Sequence, residues 1–150
     1  MDLNADCCDD DAFKGLAQTL PSGAILLTSD LKRTIQTADA IRDAGLDLPQ
    51  PIIEPDLREQ DFGDWQGMTH DAFTALRKAM PHRHWRVPAL IQPPNGETFV
   101  NLIGRVTPVI QRLSEEFSGR DIIAVTHGGT IRAALSLALR LDPETALAFA

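Results

Sequence analysis

Asp121-Ile122-Ile123-Ala124-Val125-Thr126-His127-Gly128-Gly129-Thr130-Ile131-Arg132 is the stretch on which the fold turns. Four apolar residues in a row, two of them isoleucine, read as a buried parallel strand. A histidine and two glycines follow, and then a helical pattern opens. That places His127 at the carboxyl end of a central strand, facing a helix N-terminus. Free N–H groups and the helix dipole favour negative charge at such a place. Glycine lets an oxyanion come close to the backbone. On this segment alone His127 reads equally well as a polar strand-end residue, because short motifs are weak.

A second segment repeats the design. Ala24-Ile25-Leu26-Leu27-Thr28 is a short apolar run after the turn-like Pro21-Ser22-Gly23. Ser29 or Asp30 then reads as an N-cap. The helix that follows carries Leu31, Ile35, Ala38 and Ile41 on one face. Arg33 falls in its first turn, where the dipole disfavours a cation unless an anion offsets it. Its planar fork suits phosphate oxygens, and Lys32 beside it reads as solvated. In open α/β sheets ligands bind outside the carboxyl ends of the strands. If the two strands are parallel, Arg33 and His127 emerge at the same sheet edge.

A third segment supplies an acid. Leu57-Arg58-Glu59-Gln60-Asp61-Phe62-Gly63-Asp64-Trp65-Gln66-Gly67 has little periodicity and suits an ordered functional loop. Glu59 is the candidate acid/base, set by Phe62 or Trp65 against an apolar wall that would keep its proton. Asp61 and Asp64 compete for the role. The plainer alternative has the two aromatics anchoring a loop of solvated carboxylates.

With these segments in hand, the chain resembles the histidine phosphatase superfamily, in its phosphoglycerate mutase-like and alpha-ribazole phosphatase-like branch. Ser29-Asp30-Leu31-Lys32-Arg33-Thr34-Ile35-Gln36-Thr37-Ala38 is similar to the family's Ser-x-Leu-x-Arg strand end and Gln-Thr-Ala helix. Leu57, Glu59, Phe62, Gly63 and Trp65 match its Leu-x-Glu-x-x-Phe-Gly-x-Trp loop. Gly96-Glu97-Thr98 matches its Gly-Glu-Ser/Thr helix opening, and His127-Gly128-Gly129 its late His-Gly-Gly. Each motif is moderately specific, and the four run in the family's order. The resemblance implies a three-layer α/β/α domain with a mostly parallel sheet. It implies that Arg33 and His127, helped by the Gly128 amide, bind phosphate, and that Glu59 is the proton donor. Catalysis in the family passes through a phosphohistidine on an Arg-His-Gly histidine.

This chain contains no Arg-His-Gly. Its four histidines are His70, His82, His84 and His127. The family's first strand is also unmatched, because residues 1–11 are acidic and lack a strand period. The expectation is a single domain over 1–150, incomplete at both ends: a fragment, a shifted start site or a degenerate relative. The nucleophile then lies elsewhere or is lost. An unpaired central strand invites dimerisation or strand exchange, which makes a homodimer a candidate assembly.

At 150 residues one domain with a proper core is expected. The net charge of −7 argues against nucleic acid or an anionic membrane surface as partner. It leaves open a phosphorylated small molecule, phosphate or sulfate. No run reaches transmembrane length, and the acidic start is no signal peptide. The two adjacent cysteines, Cys7 and Cys8, are too few for a secreted disulfide framework, so a cytoplasmic location is expected. Both read as ordinary loop thiols, and neither a metal nor a cofactor is expected.

The remainder reads as scaffold. A helix is expected from about Asp11 to Leu20, and another over His70–Met80 with Phe73, Leu76 and Met80 on one side. Glu97–Phe117 carries Phe99, Leu102, Ile103, Val106, Val109, Ile110 and Leu113 at helical spacing, with a kink at Pro108. Arg105 on that helix is read as a surface residue. A last helix begins at Asp142-Pro143-Glu144. Residues 81–95 hold four prolines and form a loop where the resemblance places a lid. There His82 and His84 read first as solvated loop histidines rather than a metal pair, with His82, Arg83 and His84 as the alternative substrate loop, made locally basic by Arg83 and Arg86. The leading function is hydrolysis of a small phosphomonoester in the complete protein, this chain lacking the nucleophile. The alternatives are a non-catalytic phospholigand-binding or structural relative, and mutase-type phosphoryl transfer.

Overall fold

A computed structural model of the chain describes residues 2–79 and 88–149. Their contacts group into two compact units. One joins Asp2–Arg58 to Gln111–His127, and the other joins Glu59–Ile110 to Gly128–Ala150.

The first unit is built on three short strands: β1 (Ile25–Thr28), β2 (Ile52–Ile53) and β3 (Ile122–Val125). Their order is β2-β1-β3, and both pairings are parallel. Leu26 faces Ile123 and Thr28 faces Val125 in the register. Parallel neighbours need a crossover. Between β1 and β2 it is helix α2 (Lys32–Asp43), which contacts both β1 and β3. Helix α1 (Asp10–Thr19) packs on α2. Its start is fixed by Asp9, whose carboxylate accepts from the Ala12 amide at 2.9 Å, and by Asp10 and Asp11 in the first turn. Ala24, Leu26, Ala38, Ile41, Leu46, Leu48 and Ile123 form the core, with Phe13, Ala17, Leu20 and Val125 packed against it.

Two readings change here. The run at β3 suggested a central buried strand, but among the described residues the central strand is β1. All four β1 residues are buried, whereas Ala124 of β3 is exposed. A run of branched aliphatics cannot distinguish a strand flanked on both sides from one flanked on one side. The expected N-cap also moves. Leu31 occupies that position with no side-chain cap bond, and Ser29 points its hydroxyl elsewhere. On α2 the buried face is Thr34, Ala38 and Ile41, with Ile35 only half-buried.

The second unit holds α3 (His70–Ala79), most of α4 (Phe99–Glu116), α5 (Gly128–Leu139) and α6 (Pro143–Ala146). α4 is opened by a reciprocal bond pair. The Asn101 amide donates to Thr98 Oγ1 at 2.9 Å, and the Thr98 amide donates to Asn101 Oδ1 at 3.1 Å. Phe99, Leu102, Val106, Val109 and Leu113 are its buried stripe, as their spacing indicates, and Pro108 lies inside it. α5 packs on α6, whose Asp142 cap accepts from the Thr145 amide.

The segment from Phe62 to Gly96 is closed at its base by backbone. The Asp64 amide donates to the Pro94 carbonyl and the Glu97 amide to the Asp61 carbonyl. Gly63 has φ +49°, and a Cβ there would run into the Pro94 carbonyl and the Gly96 amide. Both φ and space therefore demand glycine. Met80 and the expected lid contacts His82, Arg83, His84 and Arg86 lie outside the described residues. Among the described residues no helix is long and apolar enough to cross a membrane.

Leu26 is fully buried in the first core, and Ile53 is 51% exposed on β2. Leu26→Ala should destabilise the protein by about 2–5 kcal/mol, and Ile53→Ala by no more than about 0.5. Urea denaturation followed by circular dichroism measures both.

Candidate active site

The parallel pairing of β1 with β3 delivers Ser29 and His127 to the same strand ends. His127 is 6% exposed, and its ring is held at both nitrogens. Arg33 Nε–H donates to Nδ1 at 3.2 Å, so Nδ1 carries a lone pair. Nε2 lies 2.9 Å from Ser29 Oγ. The direction of that bond follows from the next one. Thr34 Oγ1 lies 2.8 Å from the Leu31 carbonyl and 3.1 Å from the Ser29 carbonyl, so its single proton goes to a carbonyl. The 2.9 Å contact between Ser29 Oγ and Thr34 Oγ1 is then donated by Ser29. Ser29 accepts from Nε2–H, and from the Leu31 amide at 3.3 Å. One consistent chain runs from Arg33 through His127, Ser29 and Thr34 to the backbone, and it fixes the neutral ring as the Nε2–H tautomer.

An ion pair stands beside this chain. The Arg58 guanidinium grips the Asp30 carboxylate with Nε and Nη2. Arg58 holds the Asp30 carboxyl below the usual carboxylate range, against the opposing effect of burial, and a positive His127 would lower it further. Asp30 in turn raises Arg58.

In the other unit, Glu59 is fixed by backbone. Its Oε1 accepts from the Gly129 amide at 3.0 Å, in the first turn of α5, and from the Gln60 amide at 2.9 Å. The expectation set Glu59 against Phe62 or Trp65; the partners it has are these amides. They also change the reading of the helix N-terminus, since a protein carboxylate already takes one of the donors expected to serve an anion. A Cβ on Gly129 would strike Glu59 Oε1 and press on Leu102, so the carboxylate can sit there only over glycine. Arg132 Nη1 donates to the Gly128 carbonyl at 2.8 Å. Burial pulls that guanidinium below its ordinary value, partly offset by the Glu59 charge.

The loop that carries Glu59 has its own brace. The Asp61 amide donates to Glu97 Oε1 at 3.0 Å, and Arg105 Nη2 binds the same oxygen at 2.6 Å. Buried Gln60 donates from Nε2 to the Glu97 carbonyl at 3.0 Å. Arg105, read from sequence as a surface residue, is a partly buried partner of Glu97. Helical spacing placed it off the apolar stripe and could not show that an acid from the preceding turn would meet it.

Arg33 and His127 are thus in direct contact in the first unit, and in the second Glu59 is anchored on the Gly129 amide. Ser29, Thr34, Asp30 and Arg58 carry the hydrogen bonding and ion pairing around His127, a role that none of them shows in the sequence pattern. Ser29 had a signal in the Ser-x-Leu-x-Arg pattern, but a serine before a helix most often reads as a cap. Among the described residues no group of three or more metal-ligating side chains occurs. Cys7 and Cys8 are free thiols; Cys7 Sγ approaches the Gln36 carbonyl, and Asp6 pushes the Cys8 thiol up.

Asp30's folded carboxyl is depressed, so its pairing contributes stability above the unfolded carboxylate's titration and loses it as pH falls through the folded value. Both partners keep solvent access. Arg58→Gln should therefore cost under about 1 kcal/mol at neutral pH. The difference from wild type should vanish in acid, read by urea titrations across pH.

A sequence profile of the histidine phosphatase superfamily, branch 1, matches residues 11–150. The chain is 38% identical over 123 residues to a glucosyl-3-phosphoglycerate phosphatase of Mycolicibacterium vanbaalenii, covering 77% of this chain and 52% of that protein. It is 35% identical over 109 residues to phosphoglycerate mutase-like protein 4 of Arabidopsis thaliana, covering 70% and 46%. The chain spans about half the length of these curated relatives. The solved structure of a mycobacterial glucosyl-3-phosphoglycerate phosphatase in complex with inorganic phosphate superposes with a TM-score of 0.78 at 28% identity, covering 100% of this chain and 76% of that one. On the matched profile, the parallel sheet and these likenesses, the chain belongs to the histidine phosphatase superfamily and has the phosphoglycerate mutase-like α/β fold.

Proposed function

We propose that this chain forms the phosphoryl-binding and proton-donating part of a phosphatase acting on a small phosphorylated metabolite. Arg33 and His127 hold the phosphoryl oxygens, assisted by the Gly128 amide, and Glu59 protonates the leaving oxygen. The observation that carries the reading is the 3.2 Å contact between Arg33 and His127 at the carboxyl ends of parallel strands. A fixed guanidinium and an imidazole in one place stabilise the charge that a transferring phosphoryl group spreads over its oxygens. The likeness to glucosyl-3-phosphoglycerate phosphatases, one of them with phosphate bound, supports a phosphorylated metabolite as substrate class.

Joined to a segment with the family's Arg-His-Gly histidine, such a site would work through a phosphohistidine. Within this chain His127 is a poor nucleophile, because both its ring nitrogens are engaged by Arg33 and Ser29. Covalent catalysis needs an imidazole lying in line with the leaving group. The chain should therefore bind phosphate or sulfate weakly and turn over little aryl phosphate. Some electrostatic catalysis can remain without a nucleophile.

Calorimetric titration with phosphate should show binding that weakens at least tenfold, about 1.4 kcal/mol, in Arg33→Ala and in His127→Ala. Undiminished binding in both variants would remove the pocket. A steady-state aryl phosphatase assay should find robust activity only when an upstream Arg-His-Gly segment is joined to the chain, and at most a small residue without it. Robust activity in the chain itself, lost in His127→Ala, would reassign the nucleophile. Inactivity in both forms with phosphate still bound would favour a non-catalytic ligand-binding protein.

A further inference from the structure

The hydrogen-bond chain around His127 has a directional consequence. The ring nitrogen toward Arg33 is the one with the lone pair, Nδ1. Its only ring proton is committed to Ser29 Oγ. Neutral His127 therefore offers an anion at Nδ1 a lone pair, which repels oxygen, in place of a donor. We infer that anion binding at this site takes up one proton on His127 Nδ1, and that Ser29 and Thr34 are the positioning residues that impose this requirement. The inference rests on the proposed phosphoryl pocket.

The proton balance is simple. Solvent supplies one proton to Nδ1. The Nε2 proton stays on its bond to Ser29. Protonated Nδ1 can no longer accept from Arg33 Nε–H, so the guanidinium turns its donor to the anion, and Nδ1–H donates to the anion as well. Two cations then face one anion, against a neutral ring and one cation before binding.

The charged groups around the ring are compatible with that change. Arg33 from α2 opposes a second positive charge, and an arriving anion relieves the opposition. Asp30, on the connection after β1, favours the imidazolium, and its carboxylate is kept charged by Arg58.

Thr34 matters because it takes the Ser29 proton. With Thr34 Oγ1 present, Ser29 donates forward and must accept from His127. In Thr34→Val, the Ser29 hydroxyl loses that acceptor and can turn its proton onto Nε2. The neutral ring then places its own proton on Nδ1 and needs none from solvent. Ser29→Ala reaches the same end by removing the acceptor for Nε2–H. Thr34→Ser keeps the hydroxyl and should behave as wild type.

Sulfate is the probe, because it carries no titrating proton between about pH 6 and 9, the range in which an imidazole loses its own. Calorimetry in buffers of different ionisation enthalpy counts the protons taken up. For wild type and Thr34→Ser we expect close to one proton per sulfate above the imidazole's titration, and an affinity that falls about tenfold per pH unit there. In Ser29→Ala and Thr34→Val the uptake should drop well below one and the pH slope should flatten, with sulfate still bound. Ring-nitrogen chemical shifts of His127 in the ligand-free protein give a second readout, independent of any pocket. They should show protonated Nε2 and bare Nδ1 in wild type and a reversed population in Thr34→Val. Sulfate binding without proton uptake in wild type, or a bare Nε2 in its spectrum, overturns the inference and leaves the pocket standing. Loss of all His127-dependent sulfate binding overturns the pocket and the linkage together.

Discussion

The parallel register of β1 against β3 is the constraint on which the candidate site depends. Ser29 and His127 are 98 positions apart, yet their side chains meet at 2.9 Å because each follows its strand by a fixed offset. A slip of one residue in either strand would send that strand's side chains to the opposite face of the sheet and carry the residue that follows it out of reach of its partner. What holds the register is apolar. Leu26 and Ile123 are paired and buried in the same core, and burying such a side chain is worth about 1.5–3 kcal/mol. A neutral hydrogen bond nets about 1 kcal/mol. The core therefore sets the register, and the polar chain through His127 is placed by it.

The two arginine pairs divide along the same lines of burial. Arg58 and Asp30 are wet, and their value is local: they hold a negative charge near the imidazole. Arg105 and Glu97 are drier, with about a fifth of each side chain exposed. Glu97 also receives the Asp61 amide, so removing Arg105 would leave a half-buried acid to be satisfied by one backbone donor and solvent. Loss of one partner of a buried pair costs more than the pair ever contributed. By this reasoning the loop carrying Glu59 depends on Arg105 more than the strand ends depend on Arg58.

Strands β1 and β3, the helices and the emergence of Arg33 and His127 at one sheet edge were legible in the sequence because each rests on a local pattern: a short aliphatic run, a 3.6-residue stripe, a polar residue just past a strand; the two-residue β2 is too short to leave one. The order of the strands was not legible. Ile122–Val125 has the composition of a central strand and lies at an outer position among the described residues, since what flanks a strand is decided far away in the chain. Ser29 was misread for a related reason. A hydroxyl before a helix has two ready uses, capping the helix or bonding a distant partner, and the partner is 98 positions on. Glu59 was found by its loop, but the amide at its carboxylate was not, because that contact spans 70 positions.

Gly63 and Gly96 lie so close that neither has room for a side chain, and the backbone bonds around them clamp the two ends of the stretch between them. The cost of closing a loop rises only slowly with its length, about 0.6 kcal/mol for each doubling. Such a clamp uncouples what lies inside it from what lies outside. Insertions or deletions between the two glycines can be absorbed there while the Glu59 side keeps its geometry. The pair thus acts as a boundary: the length of chain between the two glycines is thermodynamically cheap to change, and the frame outside them is not.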